Sequence, residues 1–217
     1  MPDKSRAQKI FKLLKKSYPR AKIALTFSSP MQILVATILS AQCTDKRVNI
    51  ITASLFKKYK TVRDYADADI KIFENEIRSA GFYKNKAKNI INAAAMIRGA
   101  FGGKVPSSMQ GLVKLPGVAR KTANIVLSEG FGRIEGIAVD THVIRLSGRL
   151  GFSQSGDPVK IEQDLMKLFD KKQWGEISHL LISHGRKICI ARKPNCPDCA
   201  IKGLCHSFRI FFPKKPI

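Results

Sequence analysis

The sequence has no apolar run that approaches the roughly 20 residues needed to cross a membrane. The basic N-terminal stretch MPDKSRAQKIFKLLKKSYPR also has no apolar segment followed by a cleavage site, so it does not fit a secretory signal. We predict instead an amphipathic helix with Ile10, Leu13 and Leu14 on one face, with a mitochondrial presequence as the alternative. The sequence therefore predicts a cytoplasmic protein without a targeting signal.

Sustained alternation of apolar and polar residues is also missing, which makes a β-sheet an unfavourable prediction, and no solenoid repeat or low-complexity linker is present. Helical periodicity dominates instead. Ser29 and Pro30 fit an N-cap and a first-turn proline before the almost wholly apolar residues 31–39, and Thr44 fits the cap of the next helix. Further helices are predicted over residues 86–101, 120–127, 141–150 and 161–169. We predict an all-α protein whose 217 residues form one large domain or two lobes.

Acidic residues are scarce: 16 Asp and Glu stand against 39 Lys and Arg, which gives a net charge of +23. Such a surplus repels itself unless the protein binds a polyanion. The basic residues are spread along the whole chain, and no helix sets its lysines opposite a Trp- or Leu-rich face as a membrane anchor does. The charge favours nucleic acid as the partner, with a membrane surface and general solubility as alternatives.

Cysteine is also rare, yet four of the five lie within seventeen residues in the pattern Cys-x6-Cys-x2-Cys-x5-Cys, at Cys189, Cys196, Cys199 and Cys205. A structural zinc site usually takes two well-separated Cys-x2-Cys pairs, and only one is present. The spacing therefore favours a cubane iron–sulfur cluster. A zinc knuckle and two disulfides are the alternatives, and reduced cytosolic thiols disfavour the second. Cys43, the fifth cysteine, is predicted to pack as a small buried apolar group.

A tight hairpin is predicted at residues 115–123, Leu-Pro-Gly-Val-Ala-Arg-Lys-Thr-Ala, between two helical stretches. Its turn leads directly into a helix N-terminus, where backbone N–H groups and the helix dipole form an anion site. Such a site can hold a DNA phosphate without reading the base sequence. An ordinary connector between two helices is the alternative.

This hairpin, followed by Val-Asp-Thr-His-Val at residues 139–143 and then by the four cysteines, resembles the helix-hairpin-helix DNA glycosylases, and among them the endonuclease III family. Leu-Ser-Ala-Gln-Cys-Thr-Asp at residues 39–45 and Gly-Phe-Tyr-Lys-Asn-Lys-Ala at residues 81–87 extend the likeness. The resemblance implies a two-lobed all-α helix-hairpin-helix glycosylase fold with a C-terminal [4Fe-4S] cluster loop. Its expected parts are a helical barrel domain at 24–134, the hairpin element at about 108–130, a cluster domain formed by 1–23 and 135–217, and the cluster loop at 189–205.

The resemblance also implies an activity in base excision repair. Such an enzyme excises oxidised pyrimidines from duplex DNA and cleaves 3′ to the abasic site by β-elimination. Lys121 matches the nucleophile, and it lies in a first helical turn beside Arg120. Asp140 matches the carboxylate that stabilises positive charge on the sugar, and it also fits a helix N-cap. DNA would lie across a groove between the lobes, with Lys121 and Asp140 facing each other.

Further residues match the family's DNA contacts. Because the damaged base must be flipped out of the duplex, Gln42 is expected to enter the vacated space and Phe82 to act as a second wedge. The other implied contacts are Lys84, Gly117, Ala119, Arg120, His142, Lys187, Arg192 and Lys193. Ordinary structural roles stay open for these residues, such as a polar helix end for Gln42, a core aromatic for Phe82 and a satisfied histidine for His142. The implied partner is damaged double-stranded DNA, bound by a nucleoid-associated monomer.

One departure from the family pattern lies in the hairpin, where Ala119 stands in place of a more common second glycine. If that position required a positive φ, alanine would cost on the order of 1 kcal/mol. Lys121 and the short basic tail argue against the related adenine glycosylases, which carry a further C-terminal domain and generally lack the lysine. A mismatch- or uracil-type glycosylase on the same scaffold and a non-catalytic iron–sulfur DNA-binding protein remain as alternatives.

Overall fold

A computed structural model describes residues 3–211; residues 1–2 and 212–217, which include the end of the basic tail and the ends of the expected cluster domain, lie outside the described residues. Within residues 3–211 the secondary structure is helical and no β-strand is present, so the all-α prediction is confirmed. The helices are α1 (Lys4–Ser17), α2 (Pro30–Leu39), α3 (Asp45–Lys58), α4 (Val62–Ala66), α5 (Ile70–Glu76), α6 (Tyr83–Ala100), α7 (Met109–Leu112), α8 (Arg120–Ile125), α9 (Thr141–Leu150), α10 (Pro158–Leu168), α11 (Trp174–Lys187) and α12 (Phe208–Phe211). Short 3-10 turns lie at Arg78–Ala80, Lys171–Gln173 and Lys202–Leu204, and a π turn at Val126–Gly130 continues α8.

The chain forms two compact units. One is continuous and spans residues 24–135, which contain α2 to α8. The other is assembled from both ends of the chain, residues 3–23 and residues 136–211, which contain α1 and α9 to α12.

In the unit of residues 24–135, α2 is buried on almost every side, as its apolar sequence predicts. Ser29 caps it by accepting a hydrogen bond from the Gln32 N–H at 3.3 Å, and Thr44 caps α3 through the Arg47 N–H at 3.3 Å. Both cap predictions are confirmed. Helix α6 begins at Tyr83, three residues before the predicted start, and ends before the Gly102–Gly103 pair, where both glycines have positive φ.

In the second unit, α1 packs against the core with Ala7, Ile10, Phe11 and Leu14 buried. The predicted apolar face was wrong at Leu13, which is 36% exposed. Two sets of apolar residues have helical spacing in α1: the predicted one with Leu13, and one with Ala7 and Phe11. The second set is buried, because Phe11 supplies a larger apolar surface than Leu13.

Two predicted helix boundaries also move. Helix α8 ends at Ile125 instead of residue 127, because the backbone continues into the π turn. Helix α10 begins at Pro158 instead of residue 161, since Asp157 caps it by accepting from the Lys160 N–H at 2.8 Å. Among residues 3–211, no helix is long and apolar enough to span a membrane.

Candidate active site

The hairpin lies between α7 and α8, and Gly117 forms its turn with a φ of +76°. A Cβ at this position would lie 2.9 Å from Asn89 Cβ, so both the backbone conformation and the close approach of α6 require glycine. Ala119 has a φ of −85° and a ψ of 169° and serves as the N-cap residue of α8. The strain considered for alanine at this position therefore does not arise.

Lys121 is the second residue of α8 and is half-buried, whereas Arg120, Gly117 and Ala119 are exposed. The Ala119 side chain makes no capping hydrogen bond. An external acceptor, such as a phosphate oxygen, can therefore bind at the N-terminus of α8. Lys121 lies in the first turn of α8, next to this helix N-terminus.

Asp140 is the N-cap of α9, as predicted: its Oδ1 accepts a hydrogen bond from the Val143 N–H at 2.9 Å. The carboxylate is half-buried. The cap engages one carboxylate oxygen and fixes the rotamer, which leaves Oδ2 outside the cap. A carboxylate held in this way is preorganised for electrostatic stabilisation of a cation.

His142 follows Asp140 in the first turn of α9, and Arg145 Nη2 lies 3.0 Å from its Nδ1. The guanidinium can only donate, so an Nδ1 without a proton accepts from Arg145. Burial lowers the pKa of His142, Asp140 raises it, and Arg145 lowers it. Arg145 also donates to the carbonyls of Gly185 and Cys189 at 3.0 Å. Arg145 therefore connects His142 to the backbone at Cys189, the first residue of the cysteine loop.

Gln42 and Phe82, the two expected wedge residues, are exposed and have left-handed backbones, with φ of 52° and 48°. Within residues 3–211 the only other non-glycine residue with positive φ is Lys193, at 52°. Such conformations are costly and cluster at functional sites. Phe82 is 66% exposed, which excludes the core-aromatic alternative. Lys84 is exposed on the first turn of α6.

The four predicted cluster ligands share one apolar cavity. Cys189, Cys196, Cys199 and Cys205 line it together with apolar side chains that include Leu146, Leu150 and Ile201. All five cysteines of the chain are free thiols in this structure, so the two-disulfide alternative finds no support. Cys43 is half-buried, not fully buried as predicted.

Two side chains contact the sulfur atoms directly. Arg149 Nη1 donates to Cys189 Sγ at 3.2 Å, and His184 Nε2 lies 3.5 Å from Cys199 Sγ, while its Nδ1 is 2.9 Å from Tyr18 Oη. A guanidinium beside a sulfur compensates the negative charge that a thiolate ligand carries.

Four sulfur donors around one apolar cavity are a donor set that an iron–sulfur cluster can take. Among the described residues, no three His, Cys, Asp or Glu side chains are grouped closely enough to hold one metal ion. A cubane accepts one thiolate on each of four irons, so its ligands stand farther apart around a shared cavity. Burial raises the pKa of the Cys196, Cys199 and Cys205 thiols, and the neighbouring cysteines raise it further. A metal centre would replace these protons.

The basic residues of this region are on the surface. Lys187, Arg192 and Lys193 are all exposed, and Lys187 Nζ lies 5.7 Å from the centre of the Tyr18 ring. They are free to meet a phosphate backbone without losing a buried ion pair.

Sequence reasoning missed four polar residues that fix candidate site elements within each unit: Lys86 in residues 24–135, and Arg145, Arg149 and His184 in the other unit. A signal existed for Lys86, which occupies the apolar stripe of α6 one residue before Ala87 and four before Ile90. For Arg145 and Arg149 the signal was only their spacing of one turn from each other on α9, which is common on any exposed helix.

Comparison with known proteins first defines a class. The family described as HhH-GPD superfamily base excision DNA repair protein matches residues 35–171. The endonuclease III of Synechocystis sp. (strain ATCC 27184 / PCC 6803 / Kazusa) is 51% identical over 204 residues, which are 94% of this chain and 93% of the relative.

Two solved structures of endonuclease III with DNA are also similar to this chain. A non-covalent endonuclease III–DNA complex superposes with a TM-score of 0.93 at 41% identity, over 99% of this chain and 100% of that chain. A trapped endonuclease III–DNA covalent intermediate, an estranged-adenine complex, superposes with a TM-score of 0.92 at 42% identity, over 97% and 99%. This chain belongs to the HhH-GPD superfamily of base excision DNA repair proteins and, within it, to the endonuclease III family of bifunctional DNA glycosylases and AP lyases.

Proposed function

We propose that this enzyme excises oxidised pyrimidines from duplex DNA with Lys121 as its nucleophile. The observation that carries the proposal is the position of Lys121: it is half-buried on the second residue of a helix whose first-turn amides have no side-chain cap. A phosphate held at those amides brings the neighbouring sugar to the amine. The covalent endonuclease III–DNA intermediate, 42% identical to this chain, supports a covalent route.

In the proposed reaction, the Lys121 amine attacks the anomeric carbon of the sugar and the damaged base leaves with the bonding electron pair. The sugar ring then opens at its C1′–O4′ bond and O4′ takes a proton. The Schiff base that forms between Lys121 and C1′ acidifies the adjacent C2′ proton. Loss of that proton expels the 3′ phosphate by β-elimination. Asp140, fixed by its cap hydrogen bond, stabilises the positive charge that develops on the sugar and assists proton transfer to and from the lysine.

The proposed DNA contacts fall in both units. In residues 24–135, Gly117, Ala119 and Arg120 hold a phosphate at the hairpin, Lys84 meets the backbone, and Gln42 and Phe82 fill the gap left by the flipped base. In the other unit, His142, Lys187, Arg192 and Lys193 meet the phosphate backbone. The exposure of these side chains, with His142 half-buried, supports the assignment.

Cys189, Cys196, Cys199 and Cys205 would hold the [4Fe-4S] cluster, which supplies a four-point anchor for the loop that carries Arg192 and Lys193. We propose that the protein acts as a monomer on damaged double-stranded DNA in the cytoplasm, at the nucleoid. The net charge of +23 supports a polyanionic partner.

Borohydride trapping on a duplex with one thymine glycol tests the central assignment. Wild type should give a covalent protein–DNA adduct, and Lys121→Ala should give none while it still binds the duplex. Lys114→Ala, which removes an equal charge from an exposed position just before the hairpin, is the matched control and should trap like wild type. An adduct with Lys121→Ala would disprove the nucleophile.

The lesion class needs a second arm of the same experiment. Duplexes with uracil or a mismatch, in competition with thymine glycol, should be cleaved more slowly. Preference for either of them would replace oxidised pyrimidines as the substrate and leave the lysine assignment intact.

A further inference from the structure

Lys86 is a buried lysine that the proposed chemistry does not use. It lies on the first turns of α6, and only 5% of its surface is exposed. Its Nζ donates hydrogen bonds to the Leu39 carbonyl at 2.8 Å and to the Ala80 carbonyl at 2.9 Å. Burying a charged group is unfavourable unless its partners are well placed. The two carbonyl acceptors supply such partners for Lys86.

The two acceptors are the ends of two helical segments. Leu39 is the last residue of α2, and Ala80 is the last residue of the 3-10 turn at Arg78–Ala80. Carbonyls in a last helical turn have no partner inside the helix and carry the negative end of the helix dipole. One ammonium group therefore caps two helix ends that are 41 residues apart in sequence.

Each capped end leads directly into one of the strained loops. Gln42, with φ of 52°, follows Leu39 by three residues, and Phe82, with φ of 48°, follows Ala80 by two. The first loop is a turn closed by the Cys43 N–H donating to the Ser40 carbonyl at 3.1 Å. Lys86 itself is bound back to the second loop, because its own N–H donates to the Phe82 carbonyl at 3.1 Å.

We propose that Lys86 is a positioning residue that fixes the loop of residues 40–43 and the loop of residues 81–82 relative to each other, so that Gln42 and Phe82 enter the DNA together. The inference rests on the proposed wedge function of those two residues.

A contribution to the stability of the fold does not explain why a lysine occupies this buried position. Burial lowers the pKa of Lys86, because the charged ammonium loses its hydration. The nearby Cys43 thiol offsets only part of this shift. An apolar side chain of the same length would fill the space without that penalty. What it could not do is bond both carbonyls at once, and this link between the loops is the property to test.

The test uses Lys86→Met, with Lys88→Met as the matched control, since Lys88 is exposed two residues further along α6 and its loss removes the same charge. Two substrates separate positioning from folding. A duplex with thymine glycol requires base flipping and gap filling, whereas single-stranded abasic DNA requires neither. Lys86→Met should lose roughly tenfold or more in single-turnover excision on the duplex and stay within about twofold of wild type on single-stranded abasic DNA. Lys88→Met should match wild type on both.

A 2-aminopurine placed opposite the lesion gives a readout that a purely structural role would not move. In wild type its fluorescence should rise when the wedges unstack it, and in Lys86→Met the rise should be smaller at saturating protein. Equal losses on both substrates, or an unchanged fluorescence rise, would overturn the inference. Lys86→Gln, which keeps a donor but is one bond shorter, should show the same substrate split if Lys86→Met folds poorly.

Gln42→Ala and Phe82→Ala separate this inference from the proposed function beneath it. If both variants excise thymine glycol from duplex DNA at the wild-type rate, the wedge assignment itself fails. If they lose activity and the Lys86 variants do not, only the positioning role fails. In a Gln42→Ala, Phe82→Ala background, Lys86→Met should cause little further loss, because coupled residues are not additive.

Discussion

At the scale of single residues, the candidate site contains two residues with an unfavourable backbone conformation. Gln42 and Phe82 have left-handed φ angles although neither is glycine, and each side chain is directed to the surface. A left-handed conformation costs a residue with a Cβ about 1–2 kcal/mol. Each of them follows a helix end that one buried lysine bonds, and the proposed wedge function gives this costly conformation a role.

Replacing Phe82 separates the side chain from the strain. Phe82→Gly removes both the ring and the Cβ, while Phe82→Ala removes the ring and keeps the strained Cβ. Because the ring is 66% exposed, its loss should cost little stability. We expect Phe82→Gly to be more stable than Phe82→Ala by about 1 kcal/mol in urea denaturation, with both slower than wild type on duplex thymine glycol. Equal stability of the two variants would show that the φ of 48° carries no strain.

The candidate catalytic residues and metal ligands could be predicted from the sequence. The polar residues that hold the surrounding loops in place could not. The four cysteines were predicted as ligands from their spacing, and Lys121 and Asp140 were assigned through the family resemblance. Asp140 was also expected as a helix cap, which the structure confirms. Lys86 has no such pattern. Its role depends on a carbonyl 47 residues away, and that proximity exists only after α2 and α6 pack.

At the scale of elements, helices with an explicit start signal were predicted well, as at Ser29–Pro30 and Thr44. Two kinds of feature escaped prediction. Helices α4 and α5 have five and seven residues, too few for a 3.6-residue period to show. The π turn at Val126–Gly130 adds a residue to one turn, which hydrophobic spacing over so short a stretch does not reveal.

Two substitutions in the hairpin element should change the stability of the protein in opposite directions. Gly117→Ala should destabilise the protein by about 2 kcal/mol or more, because it combines a φ of +76° with a Cβ contact of 2.9 Å to Asn89. Ala119→Ser should stabilise it by about 1 kcal/mol, since the hydroxyl can supply the missing N-cap hydrogen bond of α8. Urea denaturation of the two variants and wild type checks both. A stabilising Gly117→Ala would contradict the observed turn.

At the scale of the whole molecule, the two units are built on different principles. Residues 24–135 are continuous and bury a conventional apolar core, whereas the other unit joins both ends of the chain. In that second unit, Cys199 and Ile201 are part of the same core as Ala7, Ile10 and Leu14 of α1. The cysteine loop is thus a structural element of the core, so the proposed cluster and the fold of this unit should be linked.

Removal of the cluster should therefore loosen one unit and spare the other. Arg6 Nη1 donates to the Leu204 carbonyl at 2.8 Å, and Tyr18 reaches Cys199 through His184, so the loop holds both ends of α1. In Cys199→Ser, amide hydrogen exchange should speed up in α1 and in residues 189–205, while the amides of α2 keep their protection. Cys43→Ser, a cysteine outside the four, should keep the visible absorption of the cluster and the wild-type exchange pattern. Faster exchange in α2 to the same degree, or unchanged exchange in α1, would show that the cluster does not stabilise its own unit selectively.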